Sequence, residues 1–171
     1  MDPRRPDRPT GEADAGARRG SAVDLFLGFE GRLDRERWLG AVALLLGLLL
    51  AAHLLTWQLA EAGRIGASGR EAARVAVQAF LLVPWTALDW KRFHDLGQPG
   101  ALALICPGLF AVSRLWDGIG PMDDEMVRTA LSVAQGVVAL WLALTLAYRA
   151  GTPAPNPYGV PPGPPQPGPR P

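Results

Sequence analysis

The sequence contains one cysteine, Cys106, and one lysine, Lys91, while all the other basic residues are arginines. A single cysteine excludes an internal disulfide and a paired redox site, and its place in an apolar run is typical of a small core residue. Only two histidines are present, and the formal net charge of +1 gives no indication of a nucleic-acid partner. The distribution of apolar residues is therefore the most informative feature of the chain.

Charged residues are absent from two long apolar stretches. No Asp, Glu, Lys or Arg occurs in residues 38–60 or in residues 129–148. A helix of about 20 apolar residues crosses the hydrocarbon core of a bilayer, so each stretch predicts a transmembrane helix. Trp38 and Trp57 lie near the two ends of the first stretch, where indole rings commonly contact both lipid tails and headgroups.

Two weaker apolar stretches complete the predicted membrane domain. Residues 72–90 carry Arg74 near their start, from which a long side chain can reach the interface, and they contain Pro84. Residues 101–116 are short for a crossing, so they either cross with snorkelling ends or form a re-entrant helix. The pattern predicts an all-α fold, an integral membrane four-helix bundle.

The ends of the chain have too few apolar residues to form a core. Residues 1–20 and residues 151–171 are rich in proline and glycine, which predicts disordered N- and C-terminal tails around a transmembrane domain at residues 21–150. The first tail has no apolar segment of the kind found in a secretory signal peptide. Residues 21–37 form either a segment that lies on the membrane surface or a plain linker before the first helix.

Basic residues near the ends of the apolar stretches predict the orientation of the chain. Eight arginines precede the first stretch, and Lys91 and Arg92 lie in a predicted turn at residues 91–100, whereas residues 117–128 form an acidic loop. Four crossings therefore place both termini and the turn in the cytoplasm. If residues 101–116 do not cross, the C-terminus lies outside. The abundance of Ala, Gly, Pro and Arg is typical of a GC-rich bacterial genome.

The densest polar group lies where the stretch at residues 72–90 ends and the predicted turn begins. It comprises Asp89, Lys91, Arg92, His94 and Asp95. A histidine beside an aspartate can act as a base with its orienting carboxylate, or begin a metal site. A catalytic metal site needs about three protein ligands, so we expect no metal and no cofactor. In the alternative that we favour, Lys91 and Arg92 bind anionic lipid headgroups, while His94 and Asp95 hold the turn.

Three segments resemble one protein family in order and in place. Residues 91–97, Lys-Arg-Phe-His-Asp-Leu-Gly, preceded by Pro84-Trp85, look like the signature of the domain of unknown function 805 family, the YhaH-like bacterial inner-membrane proteins. Residues 29–38, Phe-Glu-Gly-Arg-Leu-Asp-Arg-Glu-Arg-Trp, are similar to the opening of that family. Residues 151–159, Gly-Thr-Pro-Ala-Pro-Asn-Pro-Tyr-Gly, are similar to its closing segment. The resemblance implies an integral inner-membrane protein, and it implies no reaction.

In the four-span arrangement these three segments all face the cytoplasm. We therefore expect Arg32 and Arg35, from the opening segment, to converge with Asp89 and Asp95 into one polar cluster. This expectation fails if these groups lie more than about two Debye lengths apart, which is roughly 16–20 Å at physiological ionic strength.

Polar side chains are expected inside three of the spans, at His53, Gln78 and Gln135. Intramembrane polar groups are costly and often functional, and histidine changes its charge near physiological pH. Either they line a path through an oligomeric transporter or, in the interpretation that we favour, they bond across the bundle to hydroxyl groups such as those of Thr56, Ser132 and Thr145.

The sequence thus favours a non-enzymatic scaffold or interaction protein of the bacterial inner membrane. Its expected partners are the lipid bilayer, with anionic headgroups at the cytoplasmic face, and either a second copy or another membrane protein. One alternative is a small transporter or channel subunit that uses His53. The other is a membrane enzyme that uses His94 and Asp95, with further polar groups recruited from Arg32, Arg35 and Asn156.

Overall fold

The computed structural model of the chain describes residues 21–119 and residues 125–162, with the backbone alone at residues 117–119. Helices joined by short connections make up this part of the chain, which confirms the predicted all-α class. The predicted N-terminal tail at residues 1–20 lies outside the described residues, as does the end of the predicted C-terminal tail. The helices are α1 (Ala22–Leu27), α2 (Arg35–Glu61), α3 (Ala67–Asp95), a 3-10 helix (Gly100–Leu104), α4 (Ile105–Ile119) and α5 (Glu125–Tyr148).

Local hydrogen bonds and a glycine fix the two ends of α2. The Asp34 side chain accepts a hydrogen bond of 2.7 Å from the backbone N–H of Arg37, which satisfies one of the unpaired donors of the first turn. Gly63, at φ 67°, follows the helix in a left-handed conformation that glycine adopts at little cost. The 27 residues of α2 extend about 40 Å and include the whole predicted span at residues 38–60.

Helix α3 is the centre of the fold, because it packs against α1, α2, the 3-10 helix and α5. We predicted a span at residues 72–90 followed by a polar turn at residues 91–100, but the helix continues to Asp95. The chain reverses only at Gly97, which has a left-handed φ of 71°. The polar motif therefore forms the last turn of α3 rather than a loop.

Helices α2 and α5 are long and apolar enough to cross a membrane, by length and composition. Their apolar windows have mean hydropathies of 2.3 and 1.9, and only 11% of either window is buried inside the structure. An apolar helix in the core of a water-soluble protein would be mostly buried, whereas these two expose many leucine and valine side chains. The two helices therefore indicate a membrane protein.

The buried apolar residues lie at one end of the bundle. Those of α2 belong to its first half, those of α3 to its second half and those of α5 to its last third, and the largest are Trp38, Leu45, Leu81, Leu88, Phe93, Leu142 and Leu146. Because α2 and α3 run in opposite directions, these residues face one another. The same end carries the polar motif, whereas toward the opposite end an open cleft lies between α2 and α3.

The third apolar stretch, predicted as residues 101–116, forms a 3-10 helix that leads directly into α4, and α4 packs against α5. A Cβ atom at Gly100 would lie 2.3 Å from Nε1 of Trp90, so glycine is needed for this close approach to α3. Helix α5 contains the predicted span at residues 129–148 and begins one turn earlier, at Glu125.

The segment after α5 departs from the predicted disorder in its described part, residues 151–162. Asn156 and Gly159 form a tight turn with two backbone hydrogen bonds of 3.1 and 3.0 Å. The N–H of Thr152 donates to the carbonyl of Asp95 at 2.8 Å. Proline and glycine offer little apolar surface to bury, but their carbonyl oxygens remain strong acceptors. Composition alone therefore missed a segment that hydrogen bonds hold in place.

Candidate functional site

The last turn of α3 holds a buried cluster of charged side chains. Asp95 is 3% exposed and binds two guanidinium groups: Nη2 of Arg32 lies 2.9 Å from its Oδ1, and Nη1 of Arg92 pairs with its Oδ2. Arg92 lies three residues earlier on the same helix, whereas Arg32 belongs to the connection between α1 and α2. One carboxylate therefore joins two segments that are distant in sequence.

Arg92 is fully buried and binds the end of α5 with its other nitrogen atoms. Its Nε donates to the carbonyl of Leu146 at 3.0 Å, and its Nη2 donates to the carbonyl of Arg149. The last carbonyls of a helix have no partner within the helix, and the helix dipole gives them partial negative charge. The guanidinium of Arg92 therefore caps α5 while it neutralises Asp95.

Arg32 binds the segment that follows α5. Its Nη1 donates to the carbonyl oxygens of Ala154 and Gly159 at 3.0 and 3.3 Å, and its Nη2 donates to the carbonyl of Thr152. Its Nε donates to Oδ1 of Asp95 at 3.1 Å. Arginine suits this position because its planar guanidinium presents five N–H donors in a fixed arrangement.

The segment after α5 in turn caps the end of α3. The N–H and the hydroxyl of Thr152 both donate to the carbonyl of Asp95, at 2.8 and 3.0 Å, and Nδ2 of Asn156 donates to the carbonyl of His94 at 2.9 Å. A Cβ atom at Gly151 would lie 2.0 Å from Oδ2 of Asp95, so only glycine allows this approach. We call the following set the Asp95 cluster: Arg32, Arg92, Asp95, Thr152 and Asn156.

His94 lies beside the Asp95 cluster and is held on several sides. Its Nδ1 lies 3.0 Å from the carbonyl of Gly31, and because a carbonyl can only accept, the ring carries a proton on Nδ1. The ring stacks on Tyr158 with 3.9 Å between centroids, and Trp90 meets it edge-on at 6.0 Å. Burial lowers the pKa of His94, and the hydrogen bond to Gly31 opposes this effect. The surroundings therefore favour the neutral imidazole.

Lys91 does not reach lipid headgroups as we predicted. It is 4% exposed, and its ammonium group donates to the carbonyls of Asp24 and Leu25, the second at 2.8 Å. Both carbonyls belong to the end of α1, so Lys91 caps that short helix. Burial lowers the pKa of Lys91, and the charge of Asp24 opposes this effect. The predicted contact of Lys91 and Arg92 with headgroups does not hold, because both side chains are buried in protein.

Among the described residues, Asp89 and Arg35 make no hydrogen bond or ion pair to Arg32 or Asp95, so they are not members of the Asp95 cluster as defined above. Asp89 accepts a hydrogen bond of 2.9 Å from Nε1 of Trp38, and both side chains are buried. This contact holds α2 against α3 and makes Trp38 a core residue rather than the interface anchor that we predicted. Arg35 is exposed at the first position of α2, where its charge stays hydrated.

The predicted intramembrane polar residues lie away from the Asp95 cluster. His53 is exposed on α2 and Gln78 is half-buried on α3, and both line the cleft between these helices. Gln135 is half-buried on α5. The hydroxyl of Thr56 donates to the carbonyl of His53 at 2.9 Å, and that of Ser132 donates to the carbonyl of Arg128. Both hydroxyl groups therefore bond within their own helices rather than across the bundle.

The arrangement of the Asp95 cluster suits it to holding segments of the chain together. Both carboxylate oxygens accept from arginines, and the arginines donate their remaining N–H groups to backbone carbonyls. In the part of the chain that the structure describes, no three His, Cys, Asp or Glu side chains lie close enough together to hold a metal ion. Sequence reasoning did not single out Thr152 or Tyr158, although both belong to the third family-like segment, which was the available signal.

Comparison with known proteins gives one match. A family model described as "Protein of unknown function (DUF805)" matches residues 26–160, which confirms the resemblance seen in the sequence. The matched region begins in α1 and includes the turn that carries Gly159, so it contains all the segments that meet at the Asp95 cluster. No curated protein and no solved structure matches the chain.

The buried ion pairs predict a large effect of the Arg92→Met substitution. Loss of the guanidinium leaves the carbonyls of Leu146 and Arg149 without their donor and should lower the free energy of unfolding by about 3–5 kcal/mol. The matched control is Arg37→Met, whose guanidinium is 75% exposed and lies 3.4 Å from Asp34, so that about 1 kcal/mol or less should be lost. Denaturant unfolding of the purified protein in micelles measures both values, and equal losses would contradict the structural role.

The lowered pKa of His94 predicts that the contribution of this residue to stability falls on acidification. Because the folded state holds the neutral ring, His94 in the unfolded chain binds more protons below the ordinary pKa of about 6.5, so its contribution rises with pH in this range. His94→Phe keeps a ring to stack on Tyr158 but cannot titrate. Between about pH 7.5 and about pH 5.5 the free energy of unfolding of the unmodified protein should therefore fall relative to that of His94→Phe, measured at each pH. Parallel curves for the two proteins would contradict this contribution.

Proposed function

The chain belongs to the DUF805 family of proteins of unknown function, and on this premise we propose that it is a non-enzymatic scaffold or interaction protein of the bacterial inner membrane. The observation that carries the proposal is the Asp95 cluster, whose charged groups bind other parts of the same chain. A scaffold must present a surface of fixed shape, and buried, fully bonded polar groups provide such fixed geometry. The role of the cluster is thus to hold a surface together.

The contacts of the candidate catalytic groups support a structural role. An enzyme needs an acid, a base or a nucleophile that can reach a substrate. His94, the best candidate base, is bonded to Gly31 and covered by an aromatic ring, and both oxygens of Asp95 accept from arginines. The other candidate recruits, Arg32 and Asn156, hold backbone carbonyls.

The surface that a partner would meet comes from both ends of the described chain. The Asp95 cluster joins the connection after α1 to the segment after α5, so these two parts form one continuous face. Exposed apolar side chains lie next to both parts in the sequence: Val23 and Leu27 of α1 are 68% and 54% exposed, and Val160 is 69% exposed. Exposed apolar groups beside polar ones are typical of interaction surfaces. Release of either part from the cluster would divide this face.

We also infer four crossings with both chain ends in the cytoplasm. Helix α3 has 29 residues and extends about 43 Å, more than the roughly 30 Å of the hydrocarbon core. The 3-10 helix and α4 together extend about 32 Å, which is also sufficient. Arg32, Lys91 and Arg149 lie at the end that carries the Asp95 cluster, and basic residues are enriched at cytoplasmic helix ends.

Reporters fused after residues 65, 96, 122 and 155 test this arrangement. We expect the fusions after residues 96 and 155 to report the cytoplasm and those after residues 65 and 122 to report the opposite side, because one crossing separates each fusion site from the next along the chain. A cytoplasmic signal after residue 122 together with an external signal after residue 155, with the other two as expected, would show that residues 101–116 do not cross. A cytoplasmic signal from all four fusions would contradict membrane insertion.

The cleft between α2 and α3 favours a second candidate function, that of a small transporter or channel subunit. Its lining includes the polar side chains of His53, Thr56, Arg74 and Gln78 among apolar ones. Polar groups within membrane spans often mark the path of an ion or a solute. In an oligomer, such clefts could surround a shared path.

A His53→Leu substitution distinguishes the two functions. For a scaffold we expect no change in proton flux across proteoliposome membranes, measured with a pH-sensitive dye, because the imidazole then plays no part in conduction. For a transporter or channel, flux should fall while the unfolding midpoint stays the same. Gln58→Leu, an exposed polar residue on the same helix that does not line the cleft, is the matched control. Loss of flux in His53→Leu but not in Gln58→Leu would favour transport.

A further inference from the structure

The cleft between α2 and α3 changes in character along its length. One part has a volume of about 320 Å³ and is lined mainly by aliphatic side chains, including Leu46, Leu49, Leu50 and Val77. An adjoining part of about 250 Å³ is lined by polar and aromatic groups, namely His53, Thr56, Trp57, Arg70, Glu71 and Arg74. Three residues line both parts, so the cleft is continuous. It therefore offers an apolar channel with a charged end.

The dimensions of the cleft match one leaflet of a bilayer. From Leu46 to Thr56, α2 rises about 15 Å, and half of a hydrocarbon core of roughly 30 Å is the same depth. The charged end lies next to the short connection between α2 and α3, where headgroups begin if these helices cross the membrane.

The charged end carries an excess of positive charge. Arg74 binds Glu71 at 2.7 Å, and Arg114 approaches the same carboxylate at 3.6 Å. The hydrogen bond from Arg74 lowers the pKa of Glu71, and the charges of Arg114 and Arg70 lower it further. One ionised carboxylate thus faces three arginines, and Trp57, which is 52% exposed, stands beside them at the level where indole rings meet headgroups.

We propose that this cleft binds an anionic glycerophospholipid, with its phosphate at Arg70 and Arg74 and one acyl chain along Leu46, Leu49 and Leu50. Arginine binds phosphate oxygens through several charge-assisted hydrogen bonds, which explains the preference for an anionic headgroup. The aliphatic lining excludes water from the chain of the lipid. The proposal rests on the membrane location inferred above, and it places a lipid site at the end of the bundle opposite the Asp95 cluster.

Lipid retention measured by native mass spectrometry tests the proposal. The full-length protein, purified from membranes and delipidated in a mild detergent, is mixed with equal amounts of phosphatidylglycerol and phosphatidylcholine. We expect phosphatidylglycerol to be retained preferentially. Loss of one arginine beside an anionic lipid weakens binding roughly fivefold, so the Arg70→Gln/Arg74→Gln variant should retain phosphatidylglycerol roughly 25-fold less. The matched control is Arg35→Gln/Arg37→Gln, which removes the same charge at the other end and should retain it as the unmodified protein does.

A second pair of variants tests the apolar part of the cleft. Ala52→Phe fills the lining and should reduce retention of both lipids, whereas Ala51→Phe, on the exposed side of α2, should not. Inorganic phosphate should not compete with phosphatidylglycerol, since it has no acyl chain. Equal losses in both arginine variants, competition by inorganic phosphate, or a protein dimer in place of bound lipid would overturn the proposal. A chain absent from the membrane fraction of cells would instead overturn the inferred membrane location.

Discussion

The carboxylate of Asp95, held between Arg32 and Arg92, is the contact on which the described fold depends. Removing three charges from water costs several kcal/mol per ion, so the arrangement is stable only if every charged group is fully bonded. The backbone meets this requirement, because the carbonyls at the ends of α3 and α5 and in the segment after α5 accept from the two guanidinium groups. The guanidinium groups thus supply donors to carbonyls that have no partner within their helices, and these carbonyls supply acceptors to the buried guanidinium groups.

The Asp95 cluster brings together the three segments that resemble one family, although apolar stretches separate them in the sequence. The segment at residues 29–38 supplies Arg32 and the carbonyl of Gly31, the end of α3 supplies the carboxylate, and the segment at residues 151–159 supplies acceptors for the arginine. The close approach of Gly151 to Asp95 leaves no room for a side chain. The residues of each segment are therefore constrained by contacts with the other two segments, and these contacts are not evident from any one segment alone.

The sequence predicted the helices and the convergence of Arg32 with Asp95, because hydropathy and the three ordered segments depend on local pattern. It did not predict that Lys91 caps α1, that Trp38 bonds to Asp89, or that residues 151–162 are ordered. Those contacts join residues far apart in the chain, and they depend on which face of each helix is turned inward. Periodicity of α2 could not supply that information, since its residues are apolar on every side.

Polar contacts hold the helices together at one end of the bundle and leave an open cleft at the other, and a lipid bilayer as the surrounding solvent accounts for this difference. In a bilayer, lipid tails are as apolar as leucine, so apolar helix faces gain little by leaving lipid for each other. Helices there are held by close packing and by polar contacts, and both occur at the end that carries the Asp95 cluster. At the opposite end Arg74 pairs with Glu71 within α3, Arg114 of α4 approaches the same carboxylate, and all three side chains are partly exposed. The cleft lies where the described residues form no ion pair between α2 and α3, and this is where the lipid proposed above would enter.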